Sequence, residues 1–469
     1  MCGFGFVRIV VGFPCLVLLV AACVSPPPSE QAPQADVPAV PCTVDAEHRF
    51  VSSVSADGRY LLDQDGNPLL VRGDSPWAGM TRWSPDQAEL YYTEREARGF
   101  NASIMSLVGA VANGAPSDDG ATFDGLLPFV DGDVTNWNER YWQRVDGILR
   151  SACAHGNTIF LYPMDGWNIQ TVFSGVDVDE ARRFGAMVAR RYANFPNVVW
   201  MTGGDFFARD QQTNEVFAAM LDGIRSTGND KPFSIQLGYQ KSLSTDSPFW
   251  QSRVDWNFVY TYQPTYKAVL DAYRRVGGRD PRPALFGEAN YEGENNQEDT
   301  PPTTNETLRR QALWALTSGS PGDFFGSDDW EFHPGWEARL STPAVFQLQK
   351  IRDFFAARSW WMLVPDDADP FVTAGRGTRL TEDVELDVLD NDYATAARSV
   401  DGTWGVVYVP TVRTLTLDLA RFAPAVTLAW IDPADASRPP VPAVADGEQV
   451  TTPGMNSDGG SDWLLLIES

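Results

Sequence analysis

Residues 197–207 read Asn-Val-Val-Trp-Met-Thr-Gly-Gly-Asp-Phe-Phe, and this stretch decides the fold prediction. A short run of β-branched and aromatic residues stops at two glycines and then presents the carboxylate of Asp205. The pattern is typical of a buried strand whose carboxyl end opens on a cleft, and the glycines permit a sharp turn or a close approach of a ligand. Residues 283–288, Pro-Ala-Leu-Phe-Gly-Glu, repeat the pattern and end in Glu288. Two strands that each end in an acid predict a carboxylate pair at one rim of a barrel.

Further strand-like segments alternate with helical patterns on both sides of this stretch. They lie at residues 69–74, 100–107, 158–162, 233–237, 254–260 and 323–326. With the two acid-ended strands they make eight alternations, which predicts an α/β fold, a (β/α)8 TIM barrel, with its active site at the carboxyl ends of the strands. A doubly wound sheet is the alternative, but the chain lacks the Gly-rich phosphate loop typical of that fold.

The alternation of strand-like and helical patterns ends after the Trp-Trp pair at residues 360–361. Short strand-like runs follow, separated by turns rich in Pro, Asp and Gly. They lie at residues 403–409, 414–419, 426–431 and 463–467. Such runs predict an antiparallel β-sandwich. We therefore expect a (β/α)8 barrel domain over residues 49–358 and a C-terminal β-sandwich domain over residues 359–469.

The first residues predict export. Arg8 precedes an apolar run at residues 9–20 that is shorter than a typical transmembrane helix. The following Val-Ala-Ala-Cys resembles a bacterial lipoprotein processing box, which predicts a signal peptide over residues 1–22 and a lipid on Cys23. An ordinary secretory signal with a chance cysteine is the alternative. Residues 23–48 are rich in proline and predict an extended tether. We expect an exported lipoprotein, periplasmic or on the cell surface, whose membrane contact is the lipid on Cys23.

Composition limits the partners. The formal net charge of −26 argues against nucleic acid as a partner and is compatible with a neutral substrate, although acidity can equally serve solubility. With three histidines and no zinc-type Cys/His spacing, we expect neither a metal nor another cofactor. Cys42 and Cys153 remain after export, which permits a disulfide, but buried packing of Cys153 is an open alternative. The sequence does not specify the oligomeric state.

Two carboxylates at a barrel mouth suit glycoside hydrolysis, in which one acid protonates the leaving oxygen and the other attacks the anomeric carbon or activates water. Glu288 is flanked by Asn290 and Tyr291, whose polar hydrogens would hold it ionised, so it is the predicted nucleophile. Asp205 lies among aromatic residues, where burial raises the pKa of a carboxyl, so it is the predicted acid/base. A helix cap or an ion pair is the structural alternative for each acid.

Aromatic and polar residues near the predicted strand ends are candidate sugar contacts. They are Asp74, Trp77, Asp165, Trp167, Gln263, Tyr291, Glu292 and Trp330. Aromatic faces stack on the C–H surfaces of sugars, but core packing explains a tryptophan equally well. For Glu292, a structural hydrogen bond to its own loop is the alternative.

Several motifs resemble the apiosidase-like barrel of glycoside hydrolase family 140. They are Arg-Gly-Asp-Ser-Pro-Trp at residues 72–77, Gly-Gly-Asp at 203–205 and Gly-Glu-x-x-Tyr-Glu at 287–292. The tail, with Ala-Trp-Ile-Asp-Pro at 429–433, resembles a domain often labelled collagen-binding. The resemblance implies a retaining glycosidase acting on a furanoside, with apiose in pectic rhamnogalacturonan II as the known substrate class. It also implies Asp205 as acid/base and Glu288 as nucleophile.

The sequence departs from the family pattern at residues 262–265, Tyr-Gln-Pro-Thr, and at residues 318–322. Both departures fall near the expected pocket, so they bear on the identity of the sugar. Three hypotheses follow: a lipid-anchored glycosidase in polysaccharide degradation, a non-catalytic surface glycan-binding lipoprotein, or an adhesin that works through the sandwich.

Overall fold

Nine strands of the described chain form a sheet that curls into a nearly closed barrel. In chain order they are β1 (Val71–Asp74), β2 (Ala102–Ser106), β3 (Thr158–Tyr162), β4 (Val198–Phe206), β5 (Phe233–Leu237), β6 (Lys241–Leu243), β7 (Asn257–Thr261), β8 (Ala284–Glu288) and β9 (Gly322–Phe325). Their order around the sheet is β5-β4-β3-β2-β1-β9-β8-β7-β6, and only β6 is antiparallel to its neighbour. The eight parallel strands confirm the predicted barrel, whereas β6 was not predicted.

This computed structural model describes residues 39–40, 42, 44–208, 210–239, 241–274, 282–294, 302–367 and 370–469. The predicted signal peptide at residues 1–22, the predicted lipidation site Cys23 and most of the predicted tether lie outside the described residues. Among the helices that are described, none combines the length and the apolar character needed to cross a bilayer.

Helices connect the barrel strands and cover the outside of the sheet. They are α1 (Gly79–Arg82), α2 (Pro85–Ala97), α3 (Glu139–Ala154), α4 (Val178–Arg191), α5 (Gln211–Ser226), α6 (Pro248–Gln251), α7 (Tyr266–Arg274), α8 (Asn305–Thr317) and α9 (Pro343–Ala356). A capping box formed by Ser84 and Gln87 begins α2. Because helices cover one face of the sheet and side chains fill the barrel interior, every residue of β2, β3, β5, β7 and β8 is buried.

The barrel closes between β5 and β7 through residues just before β7. The backbone nitrogen of Asp255 donates to Phe233 at 2.8 Å, and the carboxylate of Asp255 accepts from the nitrogen of Phe233 at 3.0 Å. The hydroxyl of Ser234 donates to the carbonyl of Trp256 at 2.7 Å. These bonds hold the amino ends of β5 and β7 side by side, at the opposite end of the barrel from the site described below.

Two antiparallel sheets follow the barrel. Their strands are β10 (Leu363–Pro365), β11 (Val372–Ala374), β12 (Thr395–Ser399), β13 (Trp404–Val409), β14 (Thr414–Leu417), β15 (Thr427–Ile431), β16 (Val441–Pro442), β17 (Ala445–Asp446), β18 (Gln449–Thr451) and β19 (Trp463–Glu468). One sheet has the order β10-β12-β13-β19-β15-β16 and the other β11-β14-β18-β17. A shared apolar core, which includes Val407, Leu415 and Leu465, lies between them, so the predicted C-terminal antiparallel sandwich is confirmed.

Helix α8 of the barrel is packed against the larger C-terminal sheet. One apolar cluster contains Trp314 of α8 together with Tyr408 and Leu466 of the sheet. The guanidinium of Arg309 is buried and donates to Asp462 at 2.8 Å. The barrel and the sheets therefore belong to one compact unit. The domain boundary predicted at residues 358–359 stays a prediction.

Cys42 and Cys153 form a disulfide, with their Cα atoms 6.1 Å apart. Cys153 lies near the end of α3 and is fully buried. The disulfide ties the chain before the barrel to that helix, and it decides between the two alternatives that the sequence left open.

Candidate active site

A cavity of about 150 Å³ opens at the carboxyl ends of the barrel strands. It is lined by Trp77, Ala112, Asn113, Trp167, Asp205, Tyr260, Tyr262, Glu288, Tyr291, Glu294 and Trp330. Pockets for drug-sized ligands enclose roughly 300–1,000 Å³, so this cavity suits one small ring better than a length of polymer. The two acids that the sequence paired, Asp205 and Glu288, both lie in its wall.

Asp205 reaches the cavity because β4 bulges at its carboxyl end. Gly203 pairs with Gln236 and Phe206 pairs with the next residue of β5, so Gly204 and Asp205 are extra residues on their strand. The φ angles of residues 203, 204 and 205 are 84°, 89° and 49°, all left-handed. A Cβ on Gly203 would lie 2.0 Å from the carbonyl oxygen of Gln236. The bulge re-aims the aspartate into the barrel mouth, and glycine is required for it.

A second bulge positions Glu288 at the end of β8. Val259 of β7 pairs with Phe286, but Tyr260 pairs with Glu288, which leaves Gly287 as the extra residue. A Cβ on Gly287 would lie 2.3 Å from the ring of Phe258. Each carboxylate is thus presented by a glycine-dependent irregularity in an otherwise regular strand.

Donors surround the carboxylate of Glu288. The side-chain amide nitrogen of Gln236 donates to it, and the carbonyl oxygen of that amide accepts from the hydroxyl of Tyr162 at 2.9 Å. Tyr291 also forms a hydrogen bond with Glu288, while the indole nitrogen of Trp77 donates to the hydroxyl of Tyr291 at 2.9 Å. Because the oxygen of the Tyr291 hydroxyl accepts from Trp77, the proton of the Tyr291 hydroxyl is directed at Glu288.

The pKa values of both acids are raised. For Asp205, burial raises the pKa to about 6, against a smaller lowering by a hydrogen bond from Tyr260. For Glu288, burial and then repulsion by Asp205 raise the pKa, against hydrogen bonds from Tyr291 and Gln236 that lower it. Two carboxylates that repel each other in one dry cavity do not both ionise readily, so the pair holds one proton near neutral pH.

The oxygens of Asp205 differ from those of Glu288 in their surroundings. Within the described part of the chain, the buried Oδ1 of Asp205 has no hydrogen-bond partner. A buried oxygen of this kind is satisfied by water or by a ligand that enters the cavity. This oxygen of Asp205 is therefore available to a ligand in the cavity.

Residues 55–362 match the family model described as "Apiosidase-like, catalytic domain". The chain belongs to this apiosidase-like family. The match includes both carboxylates and the whole barrel, and it makes the protein a glycosidase. No curated protein matches the chain.

Solved structures agree with the apiosidase-like assignment at the level of the fold. One structure described as "Glycoside hydrolase" has a TM-score of 0.75 at 21% identity and covers 90% of this chain and 97% of its own. A glycoside hydrolase family 5 protein from Bacteroides vulgatus ATCC 8482 has a TM-score of 0.75 at 20% identity and covers 89% of this chain and 94% of its own.

Four of the predicted sugar contacts line the apiosidase-like cavity: Trp77, Trp167, Tyr291 and Trp330. The rings of Trp77 and Trp167 meet edge to face, with centroids 5.2 Å apart. The indole nitrogen of Trp330 donates to Glu294 at 2.6 Å. These contacts fix the rings that form one wall of the cavity.

Asp74 and Asp165 support the cavity from outside its wall. Asp74 is buried and accepts from Tyr91 and from Arg95, with which it forms an ion pair. Asp165 is fully buried, and it accepts from Ser106 at 2.7 Å and from the backbone nitrogen of Trp167 at 3.0 Å. Burial raises the pKa of Asp165 to about 7 despite these donors. Both aspartates hold loops in place.

Gln263 and Glu292 also lie outside the cavity of the two carboxylates. Tyr260 and Tyr262 face that cavity. Because side chains along a strand alternate between its two faces, Gln263 points to the opposite face, where it lines a separate cavity. Its side-chain oxygen accepts from the backbone nitrogen of Leu386 at 2.6 Å. Glu292 accepts from the hydroxyl of Thr342 at 2.8 Å, a structural hydrogen bond to the N-cap residue of α9 and not to its own loop.

Several residues at the apiosidase-like site were not predicted. They are Asn113, Gln236, Tyr260, Tyr262 and Glu294. Gln236 left a signal, because it is the one amide in the apolar run of β5. The alternation of Tyr260 and Tyr262 at the end of a strand was a second signal. Within the described residues, no cluster of His, Cys, Asp or Glu is arranged to hold a metal.

Proposed function

We propose that this apiosidase-like protein is a retaining glycosidase of family 140 that removes a terminal furanoside, apiose in a rhamnogalacturonan II type of pectin, from an oligosaccharide or polysaccharide. Glu288 is the nucleophile and Asp205 is the acid/base. The observation that carries the proposal is that both acids line one cavity at the barrel mouth, where their charges repel each other. The small volume of the cavity supports a single terminal ring as the bound sugar.

The donors around each acid support the division of roles. Gln236 and Tyr291 both donate to Glu288, which favours its ionised form. A protonated Glu288 would need an acceptor, but the amide oxygen of Gln236 already accepts from Tyr162. Burial of Glu288 acts in the opposite direction, by raising its pKa. We give the shared proton to Asp205 because, within the described chain, no donor stabilises a negative charge on its Oδ1.

The reaction then has two halves. The carboxylate of Glu288 attacks the anomeric carbon, the glycosidic C–O bond breaks, and Asp205 gives its proton to the leaving oxygen. The product is a glycosyl ester on Glu288 and a free hydroxyl on the aglycone. In the second half, Asp205 takes a proton from water, the resulting hydroxide attacks the anomeric carbon, and Glu288 leaves as a carboxylate. Two inversions return the original configuration.

Glu288→Gln tests the proposal, with Glu292→Gln as a matched control four residues away. Release of apiose from rhamnogalacturonan II oligosaccharides is measured by chromatography, and the first anomer formed is identified by proton NMR. The wild type is expected to retain configuration. Glu288→Gln is expected to lose more than about a thousandfold in rate with an unchanged melting curve, whereas Glu292→Gln keeps most of its activity. A Glu288→Gln variant that still turned over would refute the assignment.

We also propose that the protein is exported and carries a lipid on Cys23, from the processing box at residues 20–23. Mass spectrometry of protein expressed in a bacterial host with lipoprotein processing is expected to show a diacylated N-terminal peptide starting at Cys23. Cys23→Ser is expected to release the protein from the membrane fraction. A soluble, unmodified wild-type protein would contradict the proposal.

A further inference from the structure

Two exposed aromatic rings lie on the loops that follow β4 and β5. Phe207, two residues after Asp205, is 51% exposed, and Tyr239, two residues after the end of β5, is 48% exposed. Their ring centroids are 5.4 Å apart at an interplanar angle of 84°. We call these two rings the aromatic platform. Contiguous exposed rings beside an active-site opening mark a ligand contact more often than scattered apolar residues do.

The backbone holds the platform in place. A Cβ on Gly238 would lie 2.6 Å from the ring of Phe207, so this ring lies directly on the backbone between β5 and Tyr239. Asp205 and Ala208, on either side of the Phe206-Phe207 pair, have left-handed φ angles of 49° and 52°. Strained backbone of this kind is concentrated at functional sites. The bulge that aims Asp205 into the cavity therefore also turns Phe207 outwards.

The position of the platform relative to Asp205 indicates which part of a substrate would contact the platform. An acid/base carboxyl protonates the leaving oxygen, so the aglycone lies on its side of the scissile bond. The segment that continues from Asp205 carries Phe207. Tyr239, its neighbour, also lines the separate cavity of about 230 Å³ that contains Lys241 and Gln263. The platform thus borders the larger cavity through Tyr239, while Phe207 lies two residues along the chain from Asp205 of the catalytic cavity.

We propose that the platform is the leaving-group subsite: it binds the sugar ring that is attached to the terminal furanoside through the scissile bond, with one aromatic ring against the face of that sugar and the other against its edge. The ligand class is a carbohydrate aglycone, whose C–H faces suit aromatic rings. The inference rests on the proposed function, since it assumes that Asp205 is the acid/base. It adds a site that determines which polysaccharide branch is accepted.

The test compares two substrates on Phe207→Ala and Tyr239→Ala. One is a rhamnogalacturonan II oligosaccharide, and the other is apiofuranosyl fluoride, which has no sugar aglycone. Each variant is expected to lose about two- to tenfold more kcat/KM on the oligosaccharide than on the fluoride, through KM. Phe346→Ala is the control, because Phe346 is 40% exposed on α9. It is expected to change neither value, and Phe207→Trp is expected to restore the oligosaccharide rate.

Two further measurements distinguish a role of the platform in substrate binding from a purely structural role. The pH profile of Tyr239→Ala is expected to match the wild type, because this residue lies outside the Asp205 bulge. Calorimetry in a Glu288→Gln background is expected to show oligosaccharide binding that Phe207→Ala weakens. Equal losses on both substrates, or none, would overturn the platform while wild-type turnover remained. If the wild type cleaved neither substrate and Glu288→Gln bound no oligosaccharide, the proposed function would fail and the platform with it.

Discussion

Gln236 and Glu288 meet across the barrel interior, where the side-chain amide of one donates a hydrogen bond to the carboxylate of the other. The strands that carry them, β5 and β8, are not neighbours in the sheet. Tyr162, on a third strand, donates to the same amide and fixes its orientation. Three strands far apart in the sequence therefore contribute to the hydrogen bonds around one carboxylate in a dry cavity.

Gln236→Leu is expected to lower kcat/KM about ten- to hundredfold. The variant removes a donor to the ionised form of Glu288, so the pKa of that carboxyl rises and the acidic limb of the pH–rate profile moves to higher pH. Tyr162→Phe, which removes only the orienting hydroxyl, is expected to shift the limb less. The profile of kcat/KM between pH 3 and 9 is the measurement, and an unmoved acidic limb in Gln236→Leu would count against the role of the amide.

The pH–rate profile of the wild type is expected to be bell-shaped. Activity needs one proton on the carboxylate pair, so it falls at low pH as the second proton binds and at high pH as the first is lost. Burial raises the pKa of Asp205 to about 6, and repulsion between the acids raises that of Glu288. The alkaline limb should therefore lie above pH 6. Asp205→Asn is expected to lose this limb, with the smallest loss of rate on substrates whose leaving group needs no proton.

The same carboxyl predicts a dependence of stability on pH. The folded-state pKa of Asp205, about 6, lies above the ordinary aspartate value of 3.8. A raised pKa in an acid favours the proton-bound folded state, so this contribution is full below pH 3.8 and is lost as the pH rises through about 6. Asp205→Asn is expected to raise the melting temperature more at pH 7.5 than at pH 4. An equal change at both pH values would show that the aspartate is not held in a costly ionised state.

Gly204→Ala is expected to damage both stability and activity. Its φ of 89° is unfavourable for alanine, and a Cβ there would lie 2.5 Å from the ring of Trp167. The control is Gly66→Ala, since Gly66 has a φ of 80° and nothing within 4 Å of its Cβ position. The control should cost about 1 kcal/mol of unfolding free energy from strain alone, and Gly204→Ala more. Urea denaturation measures the effect on stability, and hydrolysis assays measure the effect on activity. Equal losses of unfolding free energy in the two variants would show that the Trp167 ring moves aside without cost.

Arg309→Met is expected to cost about 3–5 kcal/mol of unfolding free energy, because it leaves the carboxylate of Asp462 buried without its partner. The side chains are 1% and 0% exposed, respectively. Arg309→Met combined with Asp462→Leu should recover most of the loss. The exposed pair Arg182–Asp179 provides a control, in which Arg182→Met changes stability by less than about 1 kcal/mol. If Arg309→Met cost no more than the control, the ion pair would not hold the barrel to the C-terminal sheets.

Local patterns were enough to predict the strands of the barrel and the two residues at the centre of the site. The stretch around Gly203 and Gly204 carries its own information, because two glycines after an apolar strand predict a sharp turn, and the structure shows that this turn is a bulge. The match of residues 55–362 to the apiosidase-like family agrees with the motifs at Asp205 and Glu288. These features depend on neighbours in the chain, so they can be recognised in the sequence.

Contacts between distant residues could not be recognised in this way. Asp74 and Trp77 are three residues apart and looked alike as candidates, but Asp74 is buried against Arg95 while Trp77 lines the cavity. The identity of the neighbour decides the role, and that neighbour is supplied by another strand or helix. Gln263 shows the same limit, because strand alternation turned it towards Leu386 and away from the two carboxylates.

The sequence by itself determined the alternating strands and helices and the presence of two acids after glycines at strand ends, since these follow from backbone preferences and short-range periodicity. Tertiary structure alone decided the Cys42–Cys153 disulfide, the donors on Glu288 and the partnerless oxygen of Asp205. Burial and hydrogen bonding set the pKa of a carboxyl, and both depend on groups that only the closed barrel brings together.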